Sequence, residues 1–329
     1  MAAVTERRAE EAGAPAGMVQ TDAVRTGAAA AMIATGMACI ALVDNSVRLV
    51  TSELGLWQYQ AMRAVICMAL LLPVAHVLGW PMRLLHPGRV ALRAAVASLA
   101  IVLYFGALAV MTIGQAGAGL YTAPVFVLVI SVLAFGLRVG WLRSLAVAVG
   151  FAGVLIVLRP WGDATGGGAL PLWAATGAVA AGALHGAGAV LTRQLCAGEP
   201  IAGMVMAHFA AMALWGLFGM AAVLLLAPEV AAGPEGWFAR GAVLPSPAAL
   251  FWTAVNAAGS VVAMMFAIRA YQIAEASRVA VFEYSFLPFA AFWAFLFFGE
   301  RPDVATMGGA ALIVGAGALI LLRSAPAGR

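Results

Sequence analysis

Apolar runs that are too long for the core of a soluble protein recur along the whole of this 329-residue chain. Hydrophobic residues make up 64% of its positions and charged residues only 10%, whereas about a quarter of the residues of a soluble domain are charged. A helix needs roughly 20 mostly apolar residues to cross the hydrocarbon of a bilayer, and lipid cannot satisfy the backbone groups of an open sheet. The runs therefore predict an all-α integral membrane protein, with the lipid bilayer as its surroundings.

Ten runs of this kind predict ten transmembrane helices. Their approximate bounds are 27–47, 56–79, 92–111, 116–136, 141–158, 170–191, 201–227, 248–268, 277–298 and 304–322. The tightest joins lie near 112–116 and 269–276.

Arginines at the ends of the predicted helices indicate how the chain is oriented. With the N-terminus inside, most arginines fall on the cytoplasmic side, Arg93 among them, whereas Arg48, Arg159, Arg240 and Arg301 fall on the opposite side. Membrane proteins usually carry such an excess of arginine on the cytoplasmic side. We therefore predict a protein of the cytoplasmic (inner) membrane with both termini in the cytoplasm. The net charge of +4 does not require a nucleic-acid partner.

The pattern of residues 121–159 returns at residues 281–323. In both stretches a proline comes early in an apolar run, a Gly-x-Arg turn follows, and a second run ends in Leu-Arg. The matching positions are Pro124 with Pro288, Gly136 with Gly299, and Leu158 and Arg159 with Leu322 and Arg323. The two prolines are predicted to kink their helices, either beside a water-filled cavity or as a packing feature.

This duplication predicts two five-helix repeats, which must be inverted relative to each other because each has an odd number of spans. The first repeat is predicted at 26–160 and the second at 170–323. Residues 1–25 mix Ala, Glu, Arg and Gly without apolar periodicity, which is typical of a disordered cytoplasmic tail. Residues 324–329 form a short cytoplasmic tail at the C-terminus.

Charged side chains inside apolar runs are candidates for function, since they are costly in lipid and often mark pathways. Asp44 and Arg48 lie four residues apart and can pair on one helical face, either as an ion pair at the outer end of the first helix or as part of a pathway. Arg63 lies well inside the second helix, where it either snorkels to the surface or faces a pathway. The repeat alignment places Arg63 opposite His208, which favours the pathway.

Three further polar residues lie in the second half of the chain. His185 lies on a stripe of small residues in the sixth helix, where it is either a packing residue or a ligand or proton carrier. Asn256 lies on the interior face of the eighth helix. Glu283, in the ninth helix, is either the structural partner of an arginine such as Arg278 or part of a pathway.

The chain resembles the EamA family of the drug/metabolite transporter superfamily. The resemblance rests on the two repeats, a proline in the fourth helix of each, and a closing Gly-rich helix, and it covers about residues 26–323. Its best motif is Phe-Gly-Glu-Arg-Pro at 298–302, from which the first copy departs by reading Phe-Gly-Leu-Arg, without the acid, at 135–138. The opening of the first repeat looks like the branch that includes S-adenosylmethionine and riboflavin uptake carriers.

The resemblance implies a basket of helices one to four and six to nine around a central cavity, with helices five and ten at the periphery. The residues that it would place near this cavity are Asp44, Arg63, His185, His208, Asn256, Glu283 and Tyr284. Trp57 and Tyr104 would stack on the substrate.

We therefore expect a secondary transporter that moves a small polar or amphipathic metabolite by alternating access. Arg63 would hold an anionic group of the substrate, and Glu283 would hold a cationic group or a coupling proton. An amino-acid or drug/metabolite exporter of the same superfamily is the alternative within this class, and a homodimer is compatible with the sequence.

Two alternatives of another class are an intramembrane enzyme and a non-transporting receptor. The sequence has no HExxH motif, no nucleophile elbow and no acidic metal cluster in a loop. Cys39, Cys67 and Cys196 lack CxxC spacing and suggest neither a disulfide framework nor a metal site. We therefore expect no catalytic residue, no metal and no cofactor.

Overall fold

The computed structural model describes residues 16–44, 46–107, 117, 119–137, 140–158, 172–226, 229–230, 236–299 and 301–324. These residues contain no β-strand. They form ten longer helices: α1 (Ala16–Asp44), α2 (Leu56–Val77), α3 (Pro87–Ala107), α4 (Ala123–Leu133), α5 (Trp141–Leu158), α6 (Leu172–Leu195), α7 (Ile201–Leu226), α8 (Pro247–Ile273), α9 (Phe286–Phe298) and α10 (Val304–Ser324).

Six helical segments of the described residues are long and apolar enough to cross a membrane. They are Val24–Asp44, Leu56–Val77, Pro87–Ala107, Ile201–Leu226, Pro247–Ile273 and Ala276–Phe297. Three shorter apolar helices are Ala123–Leu133, Trp141–Val157 and Val304–Ile320. The prediction of an all-helical, multi-pass membrane protein is confirmed.

The ends of several helices differ from the prediction. Helix α1 begins at Ala16, within the segment predicted as the N-terminal tail. Helix α3 begins at Pro87, earlier than the predicted start at 92, because proline is well tolerated in the first turn of a helix. Helix α8 continues to Ile273, beyond the predicted end at 268.

The ninth apolar run is divided into three pieces instead of forming one helix. A single helical turn at Ala276–Val279 leads into a 3-10 segment at Ala280–Ser285, and α9 follows. Pro288 and Pro124 both lie in the first turn of an α-helix, where a missing N–H is harmless. The predicted kinks within continuous helices are therefore absent at these two prolines, because the change of helical geometry comes just before each of them.

The two glycines matched by the repeat have the same conformation. Gly136 and Gly299 have φ angles of 62° and 68°, in the left-handed region that favours glycine. Each backbone N–H bonds to the carbonyl four residues earlier, at the C-terminal end of α4 or α9. The two glycines thus end their helices in the same way.

Helices pack in pairs that recur between the halves of the chain. Helix α1 packs on α8 and on α9, and α6 packs on α3 and on α4. Helix α2 packs on α8 and α7 packs on α3, while the remaining close pairs are α2 with α7 and α5 with α10.

Two glutamates join connections at opposite ends of the bundle. At one end Glu53 accepts hydrogen bonds from the backbone N–H and hydroxyl of Ser246, the residue before α8. These bonds lower the pKa of Glu53 below its ordinary value. At the other end Glu199 accepts from the backbone N–H groups of Leu85 and His86, at 2.8 and 2.7 Å, just before α3. Although burial acts to raise the pKa of Glu199, these bonds and the His86 imidazole lower it.

Helices α2 and α7 approach closely where Trp57 lies against Gly219. A Cβ atom added at Gly219 would lie 1.9 Å from ring carbons of Trp57, which are held between the two helices. We predict that Gly219→Ala lowers the free energy of unfolding by about 1 to 3 kcal/mol, because the ring or the helix must shift. Thermal unfolding of the purified protein in detergent measures this effect.

The matched control is Gly308→Ala in α10, where an added Cβ would meet nothing within 4 Å. This control should be neutral or slightly stabilising, since alanine is the better helix former. Equal unfolding temperatures for the two variants would contradict the close approach.

Candidate binding cavity

A cavity of about 170 Å³ lies between the helices. It is lined by α1, α2, α3, α6, α7 and α8 and by the segments at the starts of α4 and α9. Among the described lining residues, none belongs to α5 or α10. The polar lining residues are Asp44, Arg63, Arg93, Tyr104, Tyr121, His185, His208, Ser260, Tyr271 and Glu283.

Arg63 is the centre of a polar cluster on α2. Its side chain is 4% exposed, and its guanidinium donates to Gln60 Oε1 at 2.8 Å and to Asn256 Oδ1 at 3.2 Å. The Asn256 amide donates in turn to Asp44 Oδ1 at 3.3 Å. Asn256 itself is fully buried behind the cavity wall, and it links the predicted residues Asp44 and Arg63.

The Arg63 guanidinium forms no ion pair with any described carboxylate. It lies over the rings of Tyr59 and Phe105 instead, at 5.4 and 5.3 Å from their centroids, and its Nε atom has no hydrogen-bond partner among the described residues. A buried cation normally has a carboxylate or other charged partner. Arg63 is therefore a donor group held ready at the cavity wall.

Glu283 is the centre of a second cluster. It lies in the 3-10 segment and is 5% exposed. Its Oε1 accepts a hydrogen bond from the Tyr271 hydroxyl at 2.7 Å, and His185 Nε2 lies 3.2 Å from its Oε2. Arg278, the structural partner that the sequence offered, pairs with Glu275. Glu283 thus lies within hydrogen-bonding distance of a phenol and an imidazole.

Arg93 lines the cavity, although the distribution of arginines predicts it at the cytoplasmic surface. It is 5% exposed, and its Nε donates to the Thr192 hydroxyl at 2.9 Å. Because α3 begins at Pro87, Arg93 lies in its second turn and not at its end. The His86-Pro87 pair was the available signal, since proline favours the first helical position.

His208 also lines the cavity. It is 1% exposed, and neither ring nitrogen has a partner among the described residues. His208 is the eighth residue of α7, and Arg63 is the eighth residue of α2. The two residues matched by the repeat therefore lie at the same depth in matching helices.

Two predicted aromatic residues do not line the cavity. Trp57 packs on Gly219 and donates its indole N–H to the Phe238 carbonyl at 3.1 Å. Tyr284 is fully buried against Gly150 of α5, because successive side chains of a 3-10 helix diverge by about 120° and Glu283 takes the cavity direction. The side chain of Arg48 lies outside the part of the chain that the structure describes.

Aromatic rings form one wall of the cavity. Tyr104 lines it next to Phe105, at a centroid distance of 5.2 Å. Tyr121 and Phe286, which the sequence analysis did not select, line it as well and lie 5.7 Å apart. The cavity thus presents flat apolar surface together with separate donor and acceptor groups, which suits reversible binding of a small molecule.

Helices that are long enough to cross a bilayer and that surround a buried polar cavity define a multi-pass membrane protein with a binding site between its helices. A model described as the EamA-like transporter family matches residues 27–159. A protein of Rhizobium johnstonii named "Riboflavin transporter" is 31% identical over 240 residues, which cover 73% of this chain and 72% of the relative. A Brucella anthropi protein of the same name is 30% identical over 277 residues, covering 82% and 87%.

The chain belongs to the EamA-like transporter family, and it is a transporter of small metabolites rather than an enzyme. A solved structure described as "Crystal structure of protein" shares its fold, with a TM-score of 0.68 and 19% identity over 91% of this chain and 98% of the other.

Proposed function

We propose that this protein carries riboflavin across the cytoplasmic membrane by alternating access. The observation that carries the proposal is the presence in one buried cavity of aromatic rings together with Arg63 and Asp44, which Asn256 links from behind the cavity wall. Riboflavin has a flat ring system with carbonyl and N–H groups along one edge. An arginine can donate to such carbonyls and a carboxylate can accept from such an N–H, while the ring lies on the aromatic side chains.

The charges of the cavity favour a neutral substrate. Arg63 and Arg93 face it together with Asp44 and Glu283, so the formal charges of these four groups cancel. A substrate with a net charge would leave one buried charge uncompensated, which is costly inside a membrane. Riboflavin is uncharged at neutral pH, and both relatives named above carry its name.

Two inverted five-helix repeats, at 26–160 and 170–323, would supply the moving parts. The recurring helix pairs support this arrangement, because α1 with α8 becomes α6 with α3 when the halves are exchanged. The glutamate contacts support it too, since Glu53 holds the start of α8 at one end and Glu199 holds the start of α3 at the other. Inverted repeats allow one half to rock against the other around a central site.

The size of the cavity supports a conformational cycle. Its volume of about 170 Å³ is below the roughly 300 to 1,000 Å³ of sites that hold drug-sized ligands. Riboflavin would therefore enter only when the helices separate towards one side of the membrane. Both termini would lie in the cytoplasm, as the distribution of arginines indicates, and the Glu283 cluster would carry a coupling proton.

The direct test is uptake of labelled riboflavin into liposomes that contain the purified protein. We expect saturable uptake that unlabelled riboflavin inhibits and that amino acids do not. Uptake equal to that of empty liposomes, combined with transport of amino acids, would overturn the proposal in favour of an amino-acid carrier. If the protein binds a ligand but dissipates no substrate gradient across the liposome membrane, it is a receptor and not a transporter.

A further inference from the structure

We propose that Arg93 and His208 form a subsite for the hydroxyl groups of the substrate, at the opposite end of the cavity from Arg63. This inference rests on the proposed function, because it assigns the two ends of riboflavin to two ends of one site. The ring edge would lie at Arg63 and Asp44, and the sugar-alcohol chain would lie at Arg93 and His208.

The positions of the three residues along their helices place them at two ends. Helices α2 and α3 follow each other through a short connection, so their first residues lie at opposite ends of the bundle. Arg63 lies near the start of α2, and Arg93 near the start of α3. His208 belongs to the Arg93 end, since Glu199 ties the residues just before α7 to those just before α3.

Unused hydrogen-bonding atoms at this end point to a ligand. The Arg93 Nη1 atom and both ring nitrogens of His208 are buried and have no partner among the described residues, although both side chains line the cavity. Buried polar atoms of folded proteins are almost always hydrogen-bonded. Thr192 accepts from Arg93 Nε at 2.9 Å and donates to the Gly188 carbonyl, so it holds the guanidinium in place without using Nη1.

The chemistry of these atoms selects hydroxyl groups over a phosphate. A neutral imidazole offers one donor and one acceptor, and a hydroxyl group offers both in return. A chain of hydroxyls can thus donate to one nitrogen of His208 and accept from the other nitrogen and from Arg93. A phosphate is mainly an acceptor, so it would leave the acceptor nitrogen of His208 unpaired.

The test compares the binding of riboflavin with that of lumichrome, a related ring without the sugar-alcohol chain. Binding is measured by fluorescence titration of the purified protein in detergent. We expect Arg93→Gln and His208→Phe each to weaken riboflavin about 10-fold or more, as for the loss of hydrogen bonds in a buried site, and to change lumichrome binding less than about 2-fold. Asn256→Ala, which removes the amide that holds Arg63 and Asp44 from behind the cavity wall, should weaken both ligands by a similar factor.

A conservative variant separates recognition from folding. His208→Gln keeps a donor and an acceptor, so it should retain most of the preference for riboflavin over lumichrome, and thermal unfolding checks that each variant is folded. Equal loss of both ligands in the Arg93 and His208 variants would overturn the subsite while leaving riboflavin transport intact. Binding of flavin mononucleotide as tight as riboflavin, and lost in Arg93→Gln, would show an anion subsite instead. Failure of the wild type to bind any flavin would overturn the proposed function itself.

Discussion

Replacing Arg63 by methionine is expected to weaken riboflavin binding about 100-fold or more and to reduce uptake to the background of empty liposomes. The reason is that Arg63 is the buried cation of the ring end, and charged hydrogen bonds to a ligand contribute about 1.5 to 3 kcal/mol each. Its guanidinium is fixed by Gln60 and Asn256, so lysine, with a single ammonium, should not replace it. Fluorescence titration and liposome uptake measure the two losses.

The same variant should not unfold the protein. Arg63 has no carboxylate partner among the described residues, and replacing a buried charge by an apolar side chain of similar volume is often neutral or stabilising. The lost hydrogen bonds act in the other direction, so we expect the free energy of unfolding to stay within about 1 kcal/mol of the wild type. Arg83→Gln, on the exposed connection between α2 and α3, is the control that removes an arginine away from the cavity. A large fall in stability for Arg63→Met alone would mean that Arg63 is structural.

The sequence predicts a cavity residue most readily when its side chain is unusual in a membrane helix. Arg63, His185, His208 and Glu283 are polar residues within apolar runs, and burial at a cavity is one of the few environments that tolerates them. All four line the cavity. Arg93 was not predicted as a cavity residue because the predicted helix began five residues too late. A residue of the second helical turn was therefore assigned to the surface.

The direction of a side chain was harder to predict than its depth. Aromatic residues occur in packing positions and in binding sites alike, so nothing in the sequence separated Tyr104, which lines the cavity, from Trp57 and Tyr284, which pack between helices. Glu283 and Tyr284 are neighbours, and consecutive side chains of a helix diverge by about 100° or more, so the two residues could not both face the cavity.

If Glu283 carries the proposed coupling proton, replacing it by glutamine should uncouple transport from the proton gradient. Glutamine keeps the shape of the side chain and an oxygen that can accept from Tyr271, which lies 2.7 Å from Glu283 Oε1, but it cannot bind and release a proton. We expect the variant to exchange labelled for unlabelled riboflavin across liposome membranes at a rate within about 10-fold of the wild type. It should not accumulate riboflavin when a pH gradient is imposed, because the step that links proton movement to the conformational cycle is missing.

Asp303→Asn is the matched control, since it makes the same chemical change at an exposed carboxylate outside the cavity, which caps the start of α10 by accepting from the backbone N–H of Thr306. Asparagine caps helices about as well as aspartate, so this variant should accumulate riboflavin normally.

Tyr271→Phe separates the two roles of the cluster, because it removes the hydroxyl that donates to Glu283 and leaves the carboxylate in place. It should slow coupled uptake without abolishing accumulation. A purely structural role of Glu283 would not lead to this result. Accumulation by Glu283→Gln at the wild-type level would assign the coupling ion to another site, whereas loss of exchange together with accumulation would place Glu283 in substrate binding.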